Sequence, residues 1–444
     1  MKKILTLAIS LTFLLVLVAC GTQGDDDNTI SFAWWGTSDR NIATYQAIDL
    51  FEEKYPEYKV VGEQSPWNGY QQALNNKLNR GTEADVFQVN YNWIYSMYGE
   101  DYFMDINDLG LDLSKYPADE HKPLTVNGKI LGLSVSETGY IFYLNQKVYE
   151  DAGVSFDDGA RIIPETWEEL MTAGQIINQN DPTKYAIGRL DSQQIAILMF
   201  SYLAQIYGKN VINDNNQFNF TQQELVEGFN FITDLRSTGV LIPSNAIDTH
   251  IDGPTNPNWT SQKYGGVLQW NTAISEYQNT LPSTANLVMA GMFQQEAGQT
   301  LGMYKKVSMA YAVSKRVEQS DAKKEAVKTF IEFMTTDPEA VAILGVDRGV
   351  SSNSDTQAIL KAAEGKNFES SLEWQGHEVV QMMYNYQITQ NIHLYIHPYY
   401  EHNTFRAIYE APIESFLLNN KNANEAAIAI INLFNTELSR IMEG

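Results

Sequence analysis

Five tryptophans stand at or just after the ends of runs that alternate like strands: Trp34, Trp35, Trp67, Trp93 and Trp270. Short polar side chains and charges accompany them, namely Asp39 and Arg40, Asn68, Asn90 and Asn92, and Asn271. An indole offers a flat apolar plate, and an amide both donates and accepts. Together they suit a saccharide, whose C–H face stacks while its rim hydroxyls seek partners. Any one ring fits ordinary core packing as well; their recurrence at strand ends is what points to recognition. Glu137, Tyr304, Arg348 and Trp374 complete the candidate ligand-binding set.

The elements that must position these groups are legible in outline. Residues 29–34 alternate as a strand, Thr37, Ser38 and Asp39 suit a helix start, and Ile42, Tyr45, Ile48, Phe51 and Tyr55 recur at helical spacing up to Pro56. A short strand at 59–62 leads to Trp67, and a second helix runs to Arg80, with Gly81 suited to a left-handed close. Ala84 to Trp93 then begins as a buried strand and ends in amides and rings, completing a βαβαβ start. In open α/β sheets ligands sit beyond the carboxyl ends of strands, which is where Asn90, Asn92 and Trp93 fall.

Farther on, 128–134 reads as a turn and strand, and 139–145 as another strand. Thr166 and Glu169 form a capping box that makes Trp167 a core residue. Residues 176–236 are mostly helical with a break at 210–219, 264–271 and 304–313 are strand-like, and 323–335 is an amphipathic helix. Asp337 caps the next helix with Pro338 in its first turn, and apolar stripes at 379–388 and 426–442 make the end of the chain largely helical.

At 444 residues the chain is too long for one ordinary core and implies two large lobes. With 44% hydrophobic and 19% charged residues, it has the composition of a globular protein. A net charge of −24 makes nucleic acid a poor partner, because phosphate neutralisation needs clustered Lys and Arg. Lys2 and Lys3 precede the apolar run 4–18, the pattern of a secretory signal. Residues 17–21, Leu-Val-Ala-Cys-Gly, resemble the lipobox of bacterial lipoproteins, which implies cleavage after residue 19, lipidation of Cys20 and a polar tether over 20–28. Cys20 is the single cysteine, so no intramolecular disulfide or CxxC pair exists.

Gly128 to Ser134, the strand at 139–145 and Pro164-Glu165-Thr166-Trp167-Glu168-Glu169-Leu170 are similar, in order, to segments of the extracellular solute-binding proteins of carbohydrate ABC importers, the maltose-binding type. Trp270 matches the stacking tryptophan of that family, residues 311–315 its "f-A-I-S-K", and residues 344–350 its "l-G-x-x-R-G-x-P", with Ser351 where proline is common. Trp34, Trp35, Gly36 and Arg40 resemble the start of oligogalacturonide-binding members, which implies that Arg40 or Arg348 pairs bidentately with a uronate carboxylate. The resemblance implies an α/β, two-lobed periplasmic-binding-protein-like (type II) fold with a hinged cleft. Lobe one would span residues 29–139 plus 303–350, and lobe two 140–302 plus 351–444. It further implies oligosaccharide capture without catalysis or cofactor, delivery to ABC permease subunits, a monomer, and a lipid-anchored extracytoplasmic place in a bacterium, of Gram-positive type. A secreted hydrolase or lyase is the alternative.

Metal chemistry finds little support. Asn213, Asn215, Gln217 and Glu224 approach EF-hand spacing, but Phe218 replaces the glycine. His393, His397 and His402 cluster near Glu401, yet Pro398 interrupts a helix there and no H-E-x-x-H occurs. Acidic pairs are numerous, and none stands out as a glycosidase dyad.

Overall fold

The computed structural model describes residues 27–36, 38–97, 101–213, 215, 217–243, 253–392, 394, 396, 398–401 and 403–443. Signal, lipidation and most of the tether, together with Thr37 and the three clustered histidines, lie outside the described residues.

Nine strands are described: β1 Thr29–Trp35, β2 Lys59–Ser65, β3 Val86–Val89, the small hairpin β4 Thr125–Val126 and β5 Lys129–Ile130, β6 Leu133–Asn145, β7 Gly266–Trp270, β8 Leu287–Gly291 and β9 Lys305–Val313. The main sheet runs β2-β1-β3-β9-β6-β7, with β8 also paired to β6. β1 is parallel to β2 and β3, while β9 is antiparallel to β3 and β6. The βαβαβ start is therefore present as expected.

β6 differs from the expectation. Its two apolar stretches read as separate strands, yet they form one 13-residue strand. The first part, Leu133 to Gly139, pairs with β9, and the second, Tyr140 to Asn145, with β7 and β8. Polar Ser134, Ser136, Glu137 and Thr138 resemble a loop in sequence, but all four are buried, and register shifts around Ser136 keep the strand continuous. One strand thus belongs to the sheets of both lobes.

Alternation along β1 divides the first lobe's core. Ile30, Phe32 and Trp34 pack on one face with Ala47, Ile48 and Phe51 of the helix Ser38–Lys54 and Phe330 of the helix Asp321–Thr336. Ala33 and Trp35 face the other side, with Tyr70, Leu74 and Leu78 of the helix Tyr70–Leu78. Phe51 is fully buried, which contributes about 1.5–3 kcal/mol relative to an exposed ring. That second core continues into the other lobe, around Ile141 to Leu144 and the helices Trp167–Asn180, Ser192–Tyr207 and Gln222–Ser237.

Helix starts follow side-chain chemistry. The Thr166–Glu169 box forms, and Asp191–Gln194 and Thr221–Glu224 form two more, each cap worth about 1 kcal/mol. Trp167 is core, 3% exposed. Asn213 Oδ1 accepts from the backbone N–H of Asn215 and Gln217, an amide-built turn.

Candidate functional site

The carboxyl ends of β1, β2 and β3 converge, and so do their aromatic rings. Trp35 leaves β1 and lies 5.1 Å from Trp67, 5.2 Å from Tyr70 and 5.3 Å from Trp93, measured between ring centroids. Trp67 and Trp93 stack at 5.3 Å. Trp35 and Trp93 are buried while Trp67 is 50% exposed, so the cluster has a buried base and one free plate. Gly69, at φ +87°, supplies the left-handed turn after Trp67 that few other residues adopt cheaply. Tyr70 then donates its hydroxyl to the carbonyls of Ala33 and Gln88, pinning its helix across β1 and β3. Trp34 is different: it is fully buried, stacks on Phe32 and donates to Asn41, a core role.

Asn90, Tyr91, Asn92 and Trp93 follow a strand end as expected: β3 ends at Val89 and the helix Tyr91–Met97 begins at once. Asn90 and Asn92 remain half-buried at its start, each with a buried side-chain oxygen that has no hydrogen-bond partner. Asp39 and Asn68 are exposed.

The opposite wall is built on β7. Trp270 is half-buried, with the Tyr140 ring 3.9 Å away and the Lys306 ammonium 4.0 Å from its centroid. Lys306 also lies 5.3 Å from the Tyr91 ring and pairs with Glu401 at 2.5 Å, while Asn92 Nδ2 donates to the Glu401 carbonyl. Burial lowers the Lys306 pKa against the pull of Glu401. Tyr91 and Asn92 of the first wall thereby meet Trp270 of the second through one cation.

A cavity of about 330 Å³ opens beside this wall, lined among others by Arg189, Asp191, Gln194, Asn256, Gln269 and Tyr277. Gln269, directly before Trp270 on β7, lines the cavity and ties it to this wall; burial, then the charge of Asp191, raises the pKa of the Tyr140 phenol. Gln194 donates to the Leu268 carbonyl, and Gln269 links the Trp270 N–H to the Tyr277 hydroxyl. Gly188, at φ +107°, precedes this corner; a Cβ there would lie 2.2 Å from the Tyr264 ring. These residues were absent from the sequence-based set. Their signal was the Asp191-x-x-Gln194 box directly after an extended segment, the same strand-loop-helix arrangement that exposed Trp35.

Four other candidates have intramolecular roles. Asn271 is 1% exposed and its Oδ1 accepts from Thr138 Oγ1 and the Gly139 N–H, each at 2.9 Å, locking β7 to β6. Trp374 is 1% exposed in a small cluster with Val341 and Leu360, donating to Glu378. Tyr304 is buried in the large core. Glu137 is fully buried where β6 leaves β9, ion-paired to Lys305, which also lies 3.2 Å from Glu120. His377, from the helix Leu372–Thr389, is 3.6 Å from Glu137. Burial, opposed by Lys305 and reinforced by Glu120, pushes the Glu137 carboxyl up to about 7. Burial and Lys305 push His377 down to about 4.

Arg40 is half-buried and donates to the Asp347 carbonyl; Arg348 is buried and donates to Gln88 Oε1 at 3.3 Å and Thr44 Oγ1 at 2.6 Å. Trp259 is also core, with its indole N–H shared between Tyr277 O and Thr280 Oγ1.

This arrangement, two sheets joined through β6 with a tryptophan cluster on one and Trp270 on the other, coincides with a sequence match. The family described as bacterial extracellular solute-binding protein matches residues 37–341. The chain belongs to that family. A periplasmic solute-binding protein of Pectobacterium atrosepticum aligns over 93% of this solute-binding protein and 99% of its own chain, at 26% identity and TM-score 0.77. A periplasmic oligogalacturonide-binding protein of Yersinia enterocolitica shares the fold over 93% and 100%, at 24% identity and TM-score 0.78. A putative binding protein of Brucella abortus is 24% identical over 173 residues, 37% of this chain and 39% of that relative, so the match spans well under half of its length. Members of the family act outside the cytoplasm as binding proteins. Among the described residues, no helix is long and apolar enough to cross a membrane.

Proposed function

We propose that this solute-binding protein captures an oligosaccharide between its two lobes and delivers it to the permease of an ABC importer. The observation that carries the reading is the facing pair of walls: the exposed plate of Trp67 on Trp93 and Trp35, and the half-buried ring of Trp270 opposite. Sugar rings present apolar faces to such plates, while Asn68, Asn90, Asn92, Asp191 and Gln269 supply partners for hydroxyls. Relatives of the same fold include proteins described as binding oligogalacturonide and acarbose, which supports a saccharide.

In this reading lobe one comprises residues 29–139 plus 303–350 and lobe two 140–302 plus 351–444, and the ligand favours closure because only the closed form lets both walls touch it. The chain is a monomer, held by lipid on Cys20 after removal of residues 1–19, at the outer face of a Gram-positive membrane.

The test is thermal melting of the purified protein against a panel of neutral and uronic oligosaccharides, since a ligand that binds only the folded state raises the melting temperature. A shift with the glycan recovered intact supports capture. Recovery of cleaved glycan would replace it with a hydrolase or lyase, and no shift with any glycan would remove the saccharide.

A further inference from the structure

We propose that Glu120, Glu137, Lys305 and His377 form a proton-operated lock at the hinge between the lobes: a proton shared by the two carboxyls keeps the lobes drawn together, and its loss lets them part. The inference rests on the two-lobed capture reading and adds a regulation of closure.

β6 changes partners beside this cluster. Its pairing with β9 ends at Gly139 opposite Lys305, and its pairing with β7 begins at Tyr140 opposite Trp270. Glu137 lies two residues before the change, where the register shifts, and its N–H donates to the carbonyl of Val350, where the chain crosses between lobes again in the capture reading. Glu120 belongs to the segment ahead of β4 on the first-lobe side, and its carboxylate accepts from Ser134 Oγ at 2.6 Å. His377 belongs to the helix Leu372–Thr389 on the second-lobe side. Two turns farther along that helix, Tyr384 donates to Asp119, the neighbour of Glu120. The cluster is therefore assembled from both lobes and from the strands that join them, so rotation about Gly139 changes its spacing. The walls of the cleft also touch in this arrangement, with Asn92 donating to the Glu401 carbonyl.

The charges in the cluster do not balance. Both carboxylates have fully buried side chains, and they share one ammonium, that of Lys305. His377 Nδ1 lies 3.6 Å from Glu137 Oε1. Gln357 Nε2 can only donate, so the His377 Nε2 beside it accepts, and the proton of the neutral ring stands on Nδ1, toward Glu137. The imidazole thus offers a donor without a charge. Two ionised carboxylates against one ammonium leave a negative charge over in a site closed to water, which is costly. One proton on the pair removes the excess and lets Glu137 and Glu120 hydrogen-bond to each other.

Burial, opposed by Lys305 and reinforced by Glu120, lifts the Glu137 carboxyl to about 7, while at Glu120 burial is outweighed by Lys305 and two hydroxyls, which keeps it the ionised partner. Burial lowers the pKa of His121 and of His377, so neither ring carries a charge above pH 6.5. Asp119, Tyr116 and Tyr384 also face the cluster, as does Lys361 from the helix Ser354–Ala362. Parting the lobes admits water and returns Glu137 toward its ordinary 4.5, where it gives up its proton at neutral pH. The joined state has the higher Glu137 pKa, so its advantage is full below 4.5 and is lost as pH rises through about 7.

The experiment measures the distance between spin labels introduced through Glu53→Cys and Glu168→Cys, exposed positions of the first and second lobes, in a Cys20→Ser protein that has no other thiol. Ligand-free protein is compared at about pH 5.5 and about pH 8, on either side of the Glu137 titration. The ratio of the shorter-distance to the longer-distance population is expected to fall roughly 10-fold or more over that interval, as a pKa difference of about two units requires. Glu137→Gln, a neutral stand-in for the protonated carboxyl, keeps the acidic-pH distribution at both values. Glu120→Gln leaves one carboxylate for one ammonium and also abolishes the response. A wild-type distribution that is the same at both pH values, or a response that survives in either folded variant, overturns the lock and leaves capture standing. Capture is judged separately by the glycan melting panel: if no glycan binds, capture fails, and the distances still decide the lock.

Discussion

Lys306 sits with its ammonium 4.0 Å from the centre of the Trp270 ring, and its ion pair with Glu401 holds it there. The Trp270 ring is thus seated on a cation from β9, the strand that pairs with both β3 and β6. Both charged side chains are about 9% exposed, so removing one strands the other. Lys306→Met is expected to destabilise the protein by roughly 3–5 kcal/mol, and Lys306→Met with Glu401→Leu to recover part of that loss. Urea denaturation of the single and double variants measures it; a double variant as unstable as the sum of the singles would rule out the pairing.

Trp67 and Trp93 stack on each other but differ in burial, 50% against 5% exposed. Trp93→Ala should cost about 3–5 kcal/mol of stability, as for other buried large-to-small changes. Trp67→Ala should cost much less and reduce glycan affinity. Equal destabilisation by the two would mean that Trp67 is a packing residue and no ligand plate.

The buried cluster at the lobe crossover predicts opposing pH effects. Folding raises the Glu137 pKa from 4.5 to about 7, so its proton favours the folded state at low pH and that contribution is lost as pH rises through this window. His377 falls from 6.5 to about 4, so its contribution is present above 6.5 and is lost as pH falls toward 4. Burial raises Glu120, but Lys305 with the hydroxyls of Ser134 and Ser352 outweighs it; the net lowering adds stability above 4.5 that is lost in acid. His121, Asp119, Tyr384 and Lys361 are the other titratable or charged groups around the cluster. Glu137→Gln removes the one contribution that declines with pH. Its melting temperature relative to wild type should therefore climb between about pH 5 and about pH 7. A difference that stays constant over that range would show that Glu137 titrates normally.

What could be read from the chain follows the range of the interactions involved. The convergence of Trp35, Trp67 and Trp93 was legible because each ends a strand of one local βαβαβ unit, and parallel strands bring their carboxyl ends together. The capping boxes at Thr166 and Asp191 are four-residue patterns. The continuity of β6 was hidden because Ser134, Ser136, Glu137 and Thr138 look like loop, and the partners that bury them, β9, Glu120, the Arg348 carbonyl and Asn271, meet them only in the folded chain. Glu137 reads as an exposed acid for the same reason: Lys305 and His377 reach it only in the folded chain. The cavity at Arg189 and Asn256 unites three distant segments, and no one of them announces it.

Trp270 carries the most direct test. Calorimetric titration of the wild-type and Trp270→Ala proteins with a glycan that raises the melting temperature should give one-to-one binding to the wild type. The variant should bind roughly 10-fold or more weakly while remaining folded, in line with the loss of a buried aromatic contact. Equal affinities would contradict recognition of the sugar between the two walls.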